Sequence, residues 1–270
     1  MRHLSHEETL VTKTALVTGA TAGIGAAFAR RLAVEGYDLV LIARDEARLV
    51  AFGAELGDRH GVTVVPMAAD LSTTEGCERV EARLADPAAP VDMLVNNAGI
   101  SLNAPFLQST VDGEERLLRL NVHAVMRLTL AALPGMVERR RGEIVNVSSV
   151  AGFGTPMPGS TYSASKAWVT NFSQSIAESV RSSPVRVMAL CPGYTRTEFH
   201  NRAGINISMM PDWMWLSAEE VVRDGLRDLR RGKIVSVPDW KYKVAVFGLR
   251  HLPQGLVRTV SKDARGRIQR

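Results

Sequence analysis

Apolar positions along this chain fall into short β-branched runs separated by longer stretches with helical spacing. Thr14 to Thr18, Asp38 to Ala43, Val62 to Pro66, Val91 to Val95, Glu143 to Val147, Val185 to Leu190 and Ile234 to Val237 each read as a strand. Compact apolar runs bounded by Gly, Pro, Asn or Asp are what buried strands look like in sequence. Between them lie Ala26 to Glu35, a segment from Glu46 onward, about Asp112 to Met136, and Tyr162 to Val180, the last free of Pro and Gly. These read as helices. Strand alternating with helix along the chain predicts an α/β fold, a doubly wound parallel sheet of seven strands with helices on both faces.

Length and charge narrow that picture. The 270 residues suffice for one large α/β domain, 1–240, and leave little for a second. A hydrophobic content of 46% with 22 glycines fits a globular enzyme rather than a disordered chain. The net charge of +5 is uneven: residues 241–270 hold eight basic side chains against the single acid Asp263, net +7, which leaves −2 for residues 1–240. The body therefore offers no basic face for nucleic acid. The extension 241–270 mixes its charges with Val244, Phe247, Leu249, Leu252 and Leu256. It could lie on an anionic membrane surface, but packing against a neighbouring subunit, with a frayed basic end, is favoured.

No signal-like apolar core or run of bilayer length stands out, so a cytoplasmic location is expected. Cys77 and Cys191 match no bridge or zinc spacing and are expected as buried thiols. The histidines His3, His6, His60, His123, His200 and His251 are scattered, which gives metal catalysis no support.

Candidate chemistry concentrates in Gly142 to Lys166. The strand there ends on Ser148 and Ser149, and Tyr162 and Lys166 follow at i and i+4 on one helix face. A phenol titrates near pH ~10, and a fixed cation beside it should lower that value, which suits acid/base work. Such a pair is also met by chance on solvated helices. Upstream, Thr18-Gly19-Ala20-Thr21-Ala22-Gly23-Ile24-Gly25 joins a strand to a helix. Glycines at that junction let the backbone approach a pyrophosphate and aim N–H groups at it. No Lys-Ser/Thr follows, so it is not a P-loop. A serine hydrolase would need a Gly-x-Ser-x-Gly elbow, and Ser149 sits in Val-Ser-Ser-Val.

With Asn96-Asn97-Ala98-Gly99 after the fourth strand, these motifs resemble the short-chain dehydrogenase/reductase family: TGxxxGIG at 18–25, NNAG at 96–99 and S-x12-Y-x3-K from Ser149 to Lys166. The matches run in order from Thr18 to Thr197. The resemblance implies a Rossmann-like sheet in the order 3-2-1-4-5-6-7 and reversible hydride transfer between a nicotinamide and a carbonyl or alcohol carbon. It implies a catalytic set Asn121, Ser149, Tyr162 and Lys166, in which Asn121 holds a proton-relay water; a satisfied buried amide is the plainer reading of Asn121.

For the cofactor the resemblance implies contacts from Gly19, Thr21, Gly23, Ile24 and Gly25, from Asn97, Ala98 and Gly99, from Tyr162 and Lys166, and from Pro192, Gly193, Thr195 and Thr197 beside the nicotinamide. Asp70 and the Leu71 backbone would meet the adenine, although Asp70 also suits a helix N-cap. Arg44, just past the second strand, favours a 2′-phosphate and hence NADP over NAD, with Asp45 as an N-cap. A second base, common in the glycine turn of NADP users, is replaced by Ala22.

Residues 198–216, with Met209, Met210, Trp213, Met214 and Trp215, read as a lid over a bulky lipophilic substrate, or as an interface or core patch. Phe153 to Met157 are expected to line the pocket. A homodimer or homotetramer is the family's usual state. A dinucleotide-binding scaffold without turnover is the alternative from another class, and the complete four-residue set argues against it.

Overall fold

The computed structural model describes residues 12–102, 106–154, 160–199 and 211–251. Seven strands, β1 (Thr14–Thr18), β2 (Asp38–Ala43), β3 (Val64–Ala68), β4 (Met93–Asn96), β5 (Glu143–Val147), β6 (Arg186–Leu190) and β7 (Val235–Ser236), form one sheet in the order β3-β2-β1-β4-β5-β6-β7. Every pairing is parallel. Each connection is therefore a crossover, and the strand order reverses between β1 and β4, where an open α/β sheet leaves a crevice for ligands at its carboxyl ends.

Alternate residues on the strands feed two separate cores. Ala15, Val17, Leu39, Leu41, Val95, Val145 and Leu190 face α1 (Gly23–Val34) and α2 (Glu46–His60). Leu16, Val40, Ile42, Leu94, Ile144 and Val187 face the other way, toward α3 (Thr74–Ala85). A helix running from α4 (Val111–Leu118) into α5 (Ala124–Glu138) joins α3 there, together with α6 (Tyr162–Ser179). On the first face α7 (Ala218–Arg230) completes the layer through Val221, Val222, Leu226 and Leu229.

Most strand ends lie within two residues of the sequence pattern. The third strand is shifted two residues along, to Val64–Ala68, and as the sheet edge pairs only with β2; a proline without an N–H is tolerated there. The expected single helix from Asp112 is interrupted by a π turn at Arg119–His123. The stretch Val111–Glu138 has by length (28 residues) and mean hydropathy (1.3) the character of a bilayer-crossing helix. Its Leu117, Leu128, Ala132 and Met136 are nevertheless buried in the domain.

Arg141, just past α5, donates to the buried Asp92 at 2.7 Å. The other Asp92 oxygen accepts from the Thr14 amide at 3.0 Å. Finally, α8 (Trp240–His251) begins the basic extension, yet its Tyr242 and Val246 are each only 7% exposed and Tyr242 joins the first core.

Candidate active site

At the end of β1 the chain turns through Gly19 (φ 64°) and Gly23 (φ 52°), both in the left-handed region that favours glycine. A Cβ on Gly25 would lie 2.2 Å from the Gly19 carbonyl oxygen, and one on Gly23 would lie 2.7 Å from the Thr197 methyl. The N-cap of α1, Ala22, provides no side-chain oxygen, and the first turn holds no acid. No side chain caps the first turn, which Gly23, Ile24 and Gly25 open. That is the arrangement a diphosphate requires, an uncapped helix N-terminus that a backbone-hugging anion can reach.

The NNAG segment holds this turn in shape. Thr18 Oγ1 accepts from the Asn97 and Ala98 amides at 2.9 and 3.0 Å, and Asn97 Nδ2 donates to the Thr18 and Gly19 carbonyls at 2.9 and 3.3 Å. Asn96 does a different job. It is buried and donates to Asn146 Oδ1 (2.9 Å) and Thr129 Oγ1 (3.2 Å), while Asn146 donates to Ser173 (3.0 Å), tying the sheet to α5 and α6.

Asn121 sits in the π turn and is 1% exposed. Its Oδ1 accepts from the Ile100 amide and its Nδ2 donates to the Ile100 carbonyl, both at 2.9 Å, with Ser165 Oγ at 3.3 Å. The amide thus clamps the loop after Gly99 to the catalytic helix, and π turns of this kind gather at functional sites. A Cβ on Gly99 would stand 3.1 Å from Asn121 Oδ1 and 3.5 Å from Lys166 Nζ, so Gly99, Asn121 and Lys166 converge.

The two serines after β5 are distinguished by their partners. Ser148 donates to the Lys166 carbonyl and shares a hydrogen with Thr170, both at 2.7 Å, a buried structural link. Ser149 caps the 3-10 turn Val150–Phe153, accepting from the Ala151 amide at 3.1 Å, and its hydroxyl is near enough to the Tyr162 phenol to favour the ionised form. Lys166, 6% exposed, donates from Nζ to the Val147 carbonyl at 2.9 Å and stands 5.8 Å from the Tyr162 ring centroid.

Burial pushes the Tyr162 phenol up to about 12, with the Ser149 hydrogen bond pulling the other way and Tyr194 adding to the rise. Burial likewise brings the Lys166 ammonium down to about 8. The phenol thus moves opposite to the lowering expected from the Tyr/Lys spacing. The ammonium is itself desolvated and donates to the Val147 carbonyl, and burial dominates the phenol's shift.

The segment after β6 closes the groove. Pro192 is buried and its carbonyl accepts from the Val150 amide at 3.0 Å; Thr195 is buried and donates to the Gly193 carbonyl at 3.0 Å. Thr197 meets the glycine turn through its methyl, and Phe199 lies 6.0 Å, ring to ring, from Tyr162. Of the expected lid, Asp212–Met214 forms a 3-10 turn and Leu216 bridges to Thr195. Met209 and Met210, like Thr155 to Met157 of the expected pocket wall, lie outside the described residues.

Arg44 and Asp70 stand apart from the catalytic set, at the β2–β3 end, where with Thr73, Glu75 and Arg79 they line a cavity of about 330 Å³. Asp45 caps α2, accepting from the Arg48 amide at 3.0 Å. Asp70 does not cap α3. It accepts from the Ser72 amide (2.9 Å) and hydroxyl (2.7 Å), while Thr73 is the N-cap, accepting from the Gly76 amide. Burial pushes the Asp70 carboxyl up, but the Ser72 hydrogen bonds, with Arg44 and Arg116, hold it below its ordinary value. Leu71 beside it is buried.

Two residues near the site have no motif to mark them. Glu114, 8% exposed, accepts at Oε2 from the Thr161 amide (3.0 Å) and hydroxyl (2.6 Å), fixing the residue before Tyr162. Its one signal in sequence is an acid on an otherwise apolar helix face two turns before Asn121. Tyr242 of α8 packs on Gly193, and nothing in the basic extension singles it out.

A glycine-rich turn and a Tyr/Lys pair at the carboxyl end of one parallel seven-stranded sheet fit the Rossmann-like α/β oxidoreductases. Residues 13–206 match the family model described as short chain dehydrogenase, and the chain belongs to that family. It is 33% identical over 256 residues to a very-long-chain 3-oxoacyl-CoA reductase of Bos taurus, covering 86% of this chain and 78% of that one. A short-chain dehydrogenase from Sphingobium yanoikuyae, solved in complex with NADPH, superposes with a TM-score of 0.83 at 39% identity, covering 90% of this chain and 94% of that one. The bulky-bulky ketone specific alcohol dehydrogenase from Comamonas testosteroni gives 0.77 at 31% identity, with 90% and 93% covered.

Proposed function

We propose that the protein is an NADP(H)-dependent reductase that interconverts a ketone or aldehyde and an alcohol on a bulky lipophilic substrate. The observation that carries this reading is the convergence of Tyr162, Lys166 and Asn121 at the carboxyl end of the sheet, with the Lys166 ammonium 5.8 Å from the Tyr162 ring, in a chain of the short-chain dehydrogenase family. When bound, the nicotinamide supplies the hydride to the carbonyl carbon or accepts it back. In reduction Tyr162 gives its proton to the developing alkoxide oxygen, and Ser149 hydrogen-bonds the same oxygen. Lys166, protonated below about 8, returns charge balance to the phenol and would bind the ribose hydroxyls. Asn121, clamped to Ile100 and beside Lys166, would anchor the water that restores the proton.

The uncapped α1 amides would hold the diphosphate, and Pro192, Gly193, Thr195 and Thr197 would border the nicotinamide. Arg44 is exposed at the end of β2, on the cavity it shares with Asp70; there a guanidinium suits a 2′-phosphate. The likeness to an NADPH-bound dehydrogenase and to a bulky-ketone enzyme supports the choices of cofactor and substrate class. A homodimer or homotetramer in the cytoplasm belongs to the same reading.

The test is NADPH oxidation across a carbonyl panel graded by size and polarity. Turnover rising with substrate bulk and apolar area is expected. No turnover on any carbonyl would sink the proposal. For cofactor choice, Arg44→Ala should weaken NADPH binding at least about tenfold and NADH binding far less, since it removes a charge-assisted pair that only the phosphate makes. Equal losses contradict the assignment.

A further inference from the structure

Helix α8 touches three segments that border the site. Tyr242 is its centre. The phenol oxygen accepts from the Tyr194 amide at 3.0 Å and donates to the Met214 carbonyl at 2.7 Å. Its ring lies so close to Gly193 that a Cβ there would stand 2.1 Å from Cζ. Beside it, Lys241 Nζ donates to the Trp213 carbonyl at 2.8 Å. At the far end of the helix, a Cβ on Gly154 would stand 3.2 Å from Leu249, and the Arg250 guanidinium lies 4.5 Å over the Phe153 ring. The turn and the end of the lid are also joined directly: the Leu216 amide donates to the Tyr194 carbonyl and the Arg196 amide to the Leu216 carbonyl, both at 2.9 Å. The Tyr242 hydroxyl adds to these two backbone bonds a side-chain link between the Tyr194 amide and the Met214 carbonyl, and its ring packs against Gly193.

We propose that Tyr242 is a positioning residue: its hydroxyl fixes the turn beside the nicotinamide and the returning end of the lid relative to one another, so that the C-terminal helix shapes the substrate side of the site. The kinetic part rests on the reading of the protein as a carbonyl reductase; the structural part does not. Burial pushes this phenol up to about 12, so it keeps the proton it donates to Met214 through the neutral range. A ring without the hydroxyl would still cover Gly193 but would strip one N–H and one C=O of their partner.

The experiment uses the full chain carrying Tyr242→Phe and measures amide hydrogen exchange by mass spectrometry, NADPH binding by fluorescence, and steady-state kinetics on a ketone that the wild type reduces. Exchange in residues 193–197 and 212–216 should accelerate about tenfold, with β1, β4 and β5 unchanged, as expected when a local pair of hydrogen bonds is lost. KM for the ketone should rise about tenfold and NADPH affinity should fall by about threefold, with kcat within about twofold, since released positioning weakens binding rather than the chemical step. Lys241→Met, which lies outside the core, should accelerate 212–216 alone.

Unchanged exchange in both segments overturns the proposal. So does a uniform acceleration across the sheet, or a local one with KM unchanged, because either leaves Tyr242 with a merely structural bond. A wild type that reduces no carbonyl contradicts the proposed activity instead, and the exchange measurement still decides whether the clasp exists.

Discussion

Lys166 is the residue whose environment is most at odds with its charge. It is 6% exposed and its ammonium is lowered by burial to about 8, from an ordinary value near 10.5. Below about 8 both folded and unfolded chains carry the proton, and burying the charge costs stability. Between about 8 and 10.5 the unfolded chain holds more protons, so the contribution of Lys166 rises with pH. A shift of that size corresponds to about 3 kcal/mol at most. Lys166→Met should therefore compare more favourably with wild type in Tm at pH 7 than at pH 10, although it loses the bond to Val147. A difference that does not change with pH contradicts this account. Tyr162 has the opposite slope: raised to about 12, it retains a proton the unfolded chain loses above pH ~10, and its contribution falls from there upward. Sequence spacing marks Tyr162 and Lys166 as partners, but the sign of the phenol's shift depends on desolvation, which spacing does not encode.

At the scale of elements, the site is assembled by polar side chains that stitch loop to loop. Asn97 carries the two bonds that hold the Thr18–Gly19 carbonyls against the end of β4. Asn97→Ala should lower stability by about 1–3 kcal/mol, because it leaves two part-buried carbonyls short of a donor. It should also weaken dinucleotide binding, which calorimetric titration would measure; unaltered binding would mean the glycine turn keeps its shape unaided. The glycine turn, NNAG and the Tyr/Lys helix were legible because each rests on a residue type that local backbone geometry demands. The π turn at Asn121 was not, since the apolar period runs through Arg119–His123 with no breaker. Pro66 misplaced the end of β3 because edge position is a property of the sheet, not of the segment.

For the whole molecule, seven parallel strands feed alternate residues into two cores, and the strand order reverses between β1 and β4. Phe28, fully buried in α1 beneath the glycine turn, belongs to the first core. Phe28→Ala should cost about 3–5 kcal/mol, a large part of the ~5–15 kcal/mol that holds a domain folded, and a Tm within a degree of wild type would contradict that packing. The seating of α8 on Gly193 was the part least legible in sequence, because the mixed apolar and basic pattern of residues 241–270 suggested packing against a neighbouring subunit while Tyr242 lies inside its own domain. The central claim is that Tyr162 is the proton donor of a nicotinamide-dependent carbonyl reduction. Its most direct test is Tyr162→Phe, read by NADPH fluorescence and by NADPH oxidation on the best ketone of the panel. The account predicts cofactor affinity within about threefold of wild type and turnover lowered by at least about a hundredfold, the range of a lost general acid. Turnover near the wild-type rate, with cofactor bound, would contradict it.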